Sequence, residues 1–250
     1  MTEKIQKVLA HAGVASRRQI ETWIVEGRIK VNGTLAKLGE RIDTHDQVSL
    51  DGREIKLQKS RQQKTRVLMY HKPEGELCTR HDPENRPTIF ERLPLIRNSR
   101  WISVGRLDFN TAGLLLLTND GDLANHLMHP RAEIEREYAV RIRGLVWPET
   151  LATLKRGLVL EDGPARFYDI IDVGGSGSNH WFHVVVKEGR NRLVRRLWEK
   201  AGFTVSRLIR VRFGPLALPS YVKRGKFMEL AQDELEAFMK WVSHGQGKRR

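Results

Sequence analysis

Residues 104–117 read VGRLDFNTAGLLLL, and this stretch constrains the chain most. Asp108 lies between an apolar lead-in (Trp101, Ile102, Val104) and the apolar run Leu114 to Leu117. Gly105 and Gly113 bracket it, and Arg106 stands two positions before it. A carboxylate in that setting is not a solvated surface charge by default. A loop aspartate also caps its own turn, so the stretch alone leaves both roles open.

Charge decides what such an acid would face. The 250 residues hold 44 Lys plus Arg against 30 Asp plus Glu, a net charge of +14. A balance of that kind favours polyanionic partners. The charge is also clustered. Residues 187–212 hold nine basic residues (187, 190, 192, 195, 196, 200, 207, 210, 212) and two acidic ones (188, 199), a net +7. An acid in a cleft of such a chain points to chemistry on nucleic acid. A single cysteine, Cys78, excludes an internal disulfide and any CxxC zinc site. The N-terminus lacks an apolar signal region, and no run approaches the roughly 18 apolar residues of a membrane span. The expectation is a soluble cytoplasmic protein of two small domains or one large one.

The first 60 residues predict a small helix-and-hairpin unit. Ile5, Val8, Leu9 and Ala12 recur at helical spacing, and Gly13 stops that helix. Ser16 with Gln19 signals the start of a second helix, with Ile20, Trp23 and Ile24 on its apolar face and Gly27 as its stop. Ile29 and Val31 alternate like a strand before the hairpin signal Asn32-Gly33. Val48, Leu50 and Asp51-Gly52 repeat that signal. Arg17 and Arg18 open the second helix, where cations oppose the macrodipole. A phosphate partner accounts for them better than local stability does. Residues 58–66 are polar and basic, which reads as a linker. A new strand then begins at Val67. Tyr138, Val140 and Ile142 alternate in a later strand, and Trp181, His183 and Val185 in another. A last helix is expected near Asp233 to Val242, followed by a short basic tail.

In the basic segment, Leu193, Val194, Leu197, Trp198 and Ala201 form one helical stripe. At about 100° per residue, Arg195 falls at its border and Arg192 on the opposite side. Arg195 is therefore the arginine suited to half-burial beside an acid. A nearby guanidinium keeps an aspartate ionised, and Arg does this better than Lys because it never deprotonates. Tyr138 reads as core or, beside a nucleotide site, as a stacking partner for an extruded base. His126 and His129 lack an evident third metal ligand. A non-enzymatic assembly factor and a metal-dependent nuclease are the rival readings. The first has no use for Asp108, Tyr138 and Arg195 together, and the second needs clustered carboxylates.

Two resemblances extend these readings. Residues 5–10, Gly13, Ala15-Ser16-Arg17-Arg18 and Gly27-Arg28-Ile29-Lys30-Val31-Asn32-Gly33 resemble the S4 RNA-binding domain. Gly105-Arg106-Leu107-Asp108 with residues 111–121, Lys72-Pro73-Glu74-Gly75, Glu137-Tyr138 and residues 188–196 resemble, in order, the motifs of pseudouridine synthases of the RsuA type. Residues 72–80 with Arg86-Pro87-Thr88 look most like the members that act on the large ribosomal subunit. The resemblance implies an α+β fold, with a small S4-like RNA-binding domain (1–60), a linker (61–66), a mixed or antiparallel-sheet catalytic domain (67–243) and a tail (244–250). It implies isomerisation of uridine near the peptidyl-transferase centre of 23S rRNA, free or in an assembling particle, by a monomer without cofactor or metal. Asp108 would be the catalytic residue, acting on the ribose or the uracil ring. Tyr138 would stack on the base, Arg195 would pair with Asp108, and Leu208 would form an apolar wall. Arg17, Arg18, Arg28, Lys30, Arg106, Arg190, Arg192 and Arg196 would contact RNA, with Arg106 helping to hold the target nucleotide flipped out.

Overall fold

The apolar spacing near the N-terminus builds two short helices on a small sheet in the computed structural model, which describes residues 2–43, 45–57, 64–96 and 99–244. Residues 61–63 of the expected linker and 245–250 of the expected tail lie outside the described residues. The chain divides into two compact units, residues 1–66 with 94–102 and 119–121, and the remainder.

In the first unit, helices Ile5–His11 and Arg17–Val25 pack over a four-stranded sheet ordered Thr34–Leu35, Ile29–Val31, Val48–Leu50, Arg53–Ile55. Ser16 accepts a hydrogen bond from the Gln19 amide and so caps the second helix. Asn32 and Gly33 both adopt positive φ (49° and 84°), the geometry that a two-residue hairpin turn requires. Ile5, Leu9, Ile20, Ile29 and Ile42 form the buried centre.

The second unit is built on one mixed sheet. Its main path runs Asp169–Ser176, Asn179–Val186, Arg136–Arg143, Val205–Phe213, Ala112–Thr118, Val67–Lys72, Phe227–Glu229. Neighbouring strands along it are antiparallel except Val205–Phe213 with Ala112–Thr118, which are parallel. Ala112–Thr118 is buried at all seven positions. A strand flanked on both edges and covered on both faces has no polar face to show, which explains the unbroken run Leu114 to Leu117. At its start, Gly113 lets two backbones meet, because a Cβ there would stand 2.2 Å from the Arg210 carbonyl oxygen.

Trp181, His183 and Val185 alternate as read, but the core takes Phe182, Val184 and Val186. Both faces of this strand carry apolar residues, so alternation could not choose between them. The helix of the basic segment is Leu193–Lys200, and its Leu193, Val194, Leu197 and Trp198 join the same core. No helix among the described residues is long and apolar enough to cross a membrane.

Candidate active site

The loop after Val104 is held by its carbonyl groups. Leu107 O accepts from the Cys78 thiol at 3.4 Å, and Phe109 O accepts from the Gly75 amide at 2.9 Å. Asp108 O accepts from the Thr111 amide (3.0 Å) and from Lys72 Nζ (3.1 Å). Lys72 Nζ also donates to Thr111 O and Pro73 O, each at 2.9 Å. Asn110 O accepts from Arg195 Nη2 at 2.7 Å. Five successive carbonyls, 107 to 111, are thus engaged. A loop pinned in this way holds its one acid in a single place, which a reacting carboxylate needs.

Two cations do most of the pinning, and both are buried: Lys72 is 0% exposed and Arg195 8%. Burial pushes the Lys72 ammonium below its ordinary value, while Cys78, Glu76 and Asp108 oppose that shift. Burial also lowers the Arg195 guanidinium, as does Arg192, against the pull of Asp108. Arg195 Nη1 donates to Val205 O at 2.9 Å. Its hydrogen-bond partners therefore differ from the expected Asp108. Among the described residues its hydrogen-bond partners are backbone carbonyls, and Asp108 acts on it through charge alone. A helical stripe finds that Arg195 is buried but not what it binds.

Asp108 opens onto a cavity of about 370 Å³. Tyr138 and Leu208 line it, as do Arg106, Arg190 and Arg192. The strand register explains the floor, since Tyr138 pairs with Arg210 and Val140 with Leu208 on adjacent strands. Arg192 caps the Leu193–Lys200 helix at φ 49°, a left-handed conformation uncommon outside glycine. The helical wheel placed it on a solvent face; it is exposed, but it lies ahead of the helix.

Arg195 and Arg196 are absent from the cavity lining. Arg196 pairs with Asp162 at 2.8 Å, and Arg190 reaches the same carboxylate at 2.9 Å. The two arginines thus tie the Leu158–Leu160/Gly163–Ala165 hairpin to the Leu193–Lys200 helix and to the segment before it. In the first unit, Arg17, Arg18 and Lys30 are exposed. Arg28 is already engaged by Asp51 at 2.6 Å and Glu26 at 3.3 Å, and its guanidinium lies over Trp23. Cys78 is half-buried, and burial pushes its thiol up, which makes it a weak nucleophile. Among the described residues no three His, Cys, Asp or Glu side chains cluster as metal ligands.

Three functional candidates escaped the sequence reading: Lys72, Arg136 and Arg210. The last two line the cavity and are 8% and 2% exposed. Strand periodicity holds the signal, because Arg136 stands two residues before Tyr138 and Arg210 two after Leu208.

Known proteins resemble the chain in sequence and fold. Residues 66–200 match the family described as RNA pseudouridylate synthase, and residues 3–48 match the S4 domain. The chain is 59% identical over 235 residues to ribosomal large subunit pseudouridine synthase B of Pseudomonas aeruginosa, covering 94% of this chain and 61% of that protein. It is 57% identical over 232 residues to the Escherichia coli K12 protein of the same name, covering 92% and 80%. A crystal structure of a pseudouridylate synthase aligns over 93% of this chain and 98% of that one, with a TM-score of 0.64 at 24% identity, a likeness of fold.

Proposed function

This chain belongs to the RNA pseudouridylate synthase family, and we propose that it converts one uridine of 23S rRNA, near the peptidyl-transferase centre, to pseudouridine, with Asp108 as the catalytic residue. The observation that carries this reading is the Asp108 loop, whose five engaged carbonyls aim one acid at a cavity walled by Tyr138 and Leu208. The chain spans 61% of the length of the P. aeruginosa relative, so activity, substrate and partners together are part of the proposal.

The reaction breaks the C1′–N1 bond, turns the uracil in place and rejoins it through C5. Atoms and charge balance within the nucleotide, so neither cofactor nor metal is called for. Asp108 acts on the sugar or on the ring to release the glycosidic bond. Tyr138 stacks on the extruded base and Leu208 covers it, which keeps water from the detached ring. Lys72 and Arg195 act as positioning residues through the loop carbonyls. Arg106 and Arg192, exposed at the cavity rim, meet the RNA backbone and hold the target flipped out. Arg190 and Arg196 act by fixing the rim, since Asp162 engages both.

Residues 1–60 form the S4-like RNA-binding domain, gripping RNA with Arg17, Arg18 and Lys30, with Arg28 joining when Asp51 yields. Residues 61–66 are the linker, 67–243 the catalytic domain and 244–250 a basic tail. The partner is the rRNA or an assembling large subunit, met by a monomer in the cytoplasm. The test is Asp108→Asn in the purified protein. RNA binding should survive while pseudouridine formation falls to background, and near-normal turnover by the variant would refute the assignment.

A further inference from the structure

Two guanidinium groups stand in the wall of the Asp108 cavity and, among the described residues, neither is ion-paired to an acid. Arg210 and Arg136 both line the cavity and are 2% and 8% exposed. Their guanidinium carbons lie 5.5 and 5.2 Å from the centre of one ring, that of Phe213. What they donate to is neutral backbone. Arg210 Nε bonds Leu114 O at 2.7 Å, and Arg136 Nη1 bonds Ile134 O and Lys187 O. Arg210 Nη2 is buried without a hydrogen-bond partner among the described residues. Among the described residues, neither arginine forms an ion pair with a carboxylate. Burial holds the Arg136 guanidinium below its ordinary value; the Tyr138 hydroxyl opposes this and the charge of Arg210 adds to it.

A buried cation without a counter-charge is costly, and two side by side are more so. The cost makes sense where function brings an anion. The strand register says what meets the pair. Tyr138 is the cross-strand partner of Arg210, and Arg136 precedes Tyr138 by two on the same strand face. The pair therefore flanks the surface on which the base stacks.

We propose that Arg210, with Arg136 beside it, is a further catalytic residue that donates to the uracil carbonyl oxygens and stabilises the negative charge the ring acquires when it leaves C1′. The proposal rests on the reading that uridine enters the Asp108 cavity. When C1′–N1 breaks, both bonding electrons stay with the ring and spread over N1, O2 and O4. The deficit at C1′ is met by a bond to the Asp108 carboxylate, or by loss of the C2′ proton to it. C5 then gives an electron pair to C1′, which neutralises the ring as the C1′–Asp108 bond breaks or the proton returns to C2′, and the C5 proton is finally exchanged for one on N1. Attack by Asp108 on C6 of the ring instead would put charge on O4, one of the same ring oxygens. On each route the anion exists only between substrate and product, so fixed positive charge favours the transition state over the ground state.

The test uses the full-length protein and a 23S rRNA fragment containing the target, bearing either uridine or 5-fluorouridine at that position. Fluorine withdraws electrons and stabilises the ring anion, which lessens the need for a guanidinium. Arg210→Gln, Arg210→Lys and Arg136→Gln are compared with wild type. Consumption of the target nucleoside is followed in single turnovers at saturating enzyme, alongside the RNA dissociation constant and the melting temperature. Arg210→Gln should slow uridine consumption about 100-fold, with RNA affinity within about twofold and partial recovery in the Lys variant. The slowing on 5-fluorouridine should be about tenfold or less. Equal slowing on both substrates would assign Arg210 a structural role. Weakened binding with an unchanged saturated rate would make it a phosphodiester contact. Either result overturns the proposal. Should the Arg210 variants fail to fold, Arg136→Gln supplies the same comparison with a smaller expected effect. Failure of wild type to consume either nucleoside would instead defeat the uridine reading itself.

Discussion

Gly113 shows how little freedom single residues have at the centre of this molecule. Its φ is +110°, and an added Cβ would meet Arg210 O at 2.2 Å and Arg210 N at 2.5 Å, both backbone atoms that cannot swing aside. Gly113→Ala should destabilise the protein by about 3 kcal/mol or more, read as a lower urea midpoint. A midpoint equal to wild type would mean that the two strands do not approach this closely. Lys72→Met should cost about 3 kcal/mol, because three carbonyls lose their donor at roughly 1 kcal/mol each. It should also lower the saturated turnover rate far more than RNA affinity, since what it loosens is the Asp108 loop. Residues of this kind were only partly legible in the sequence. Asp108 stood out because an acid between apolar runs is unusual. Lys72 did not, because nothing local says that a lysine after Val67-Leu68-Met69-Tyr70-His71 will be buried and tied to carbonyls of residues 108 and 111, about 40 positions downstream. Arg195 was legible as a buried cation, yet its partners were not, since carbonyl contacts leave no trace in side-chain spacing.

Elements were read more securely where turns set them. Gly27, Asn32-Gly33 and Asp51-Gly52 take the positive φ that their spacing predicts. Helix Gln232–Ser243 covers the expected Asp233 to Val242. The strand Asn179–Val186 was found but its core face was not, because tertiary packing decides between two apolar faces. On its other side runs a polar ladder. His183 Nδ1 lies 2.7 Å from Glu137 Oε1, and Arg212 Nε donates to Glu137 Oε2 at 2.8 Å, linking three neighbouring strands. Burial works against the Glu137 carboxylate, but Arg212 and His183 hold it below its ordinary value of 4.5. A depressed acid stabilises the fold above its unfolded value and loses that contribution as pH falls. Stability should therefore decline as pH drops below about 4.5, and Glu137→Gln should be less stable at pH 7 but show a shallower acid decline. Parallel acid profiles for the two proteins would show that this ladder does not supply the sensitivity.

For the whole molecule, composition was the informative quantity. A net charge of +14 signalled a polyanionic partner without saying which arginines would be available. Arg17 and Arg18 are exposed, whereas Arg28, Arg190 and Arg196 are held by carboxylates of the chain itself. Replacing Arg17 and Arg18 together by Ala should reduce the slope of log affinity against log salt by about two and weaken RNA binding roughly tenfold. Single-turnover rates at saturation should not change. A matching fall in those rates would mean that the first unit takes part in the chemistry as well as in binding.

The central claim is that this chain makes one pseudouridine in 23S rRNA through Asp108. The most direct measurement is pseudouridine mapping of ribosomal RNA, by carbodiimide-induced reverse-transcription stops, in cells lacking the gene and in cells complemented with wild type or Asp108→Asn. The account predicts one lost site in 23S rRNA near the peptidyl-transferase centre, restored by wild type and not by the variant. A full set of sites in the deleted strain, or restoration by Asp108→Asn, would contradict it.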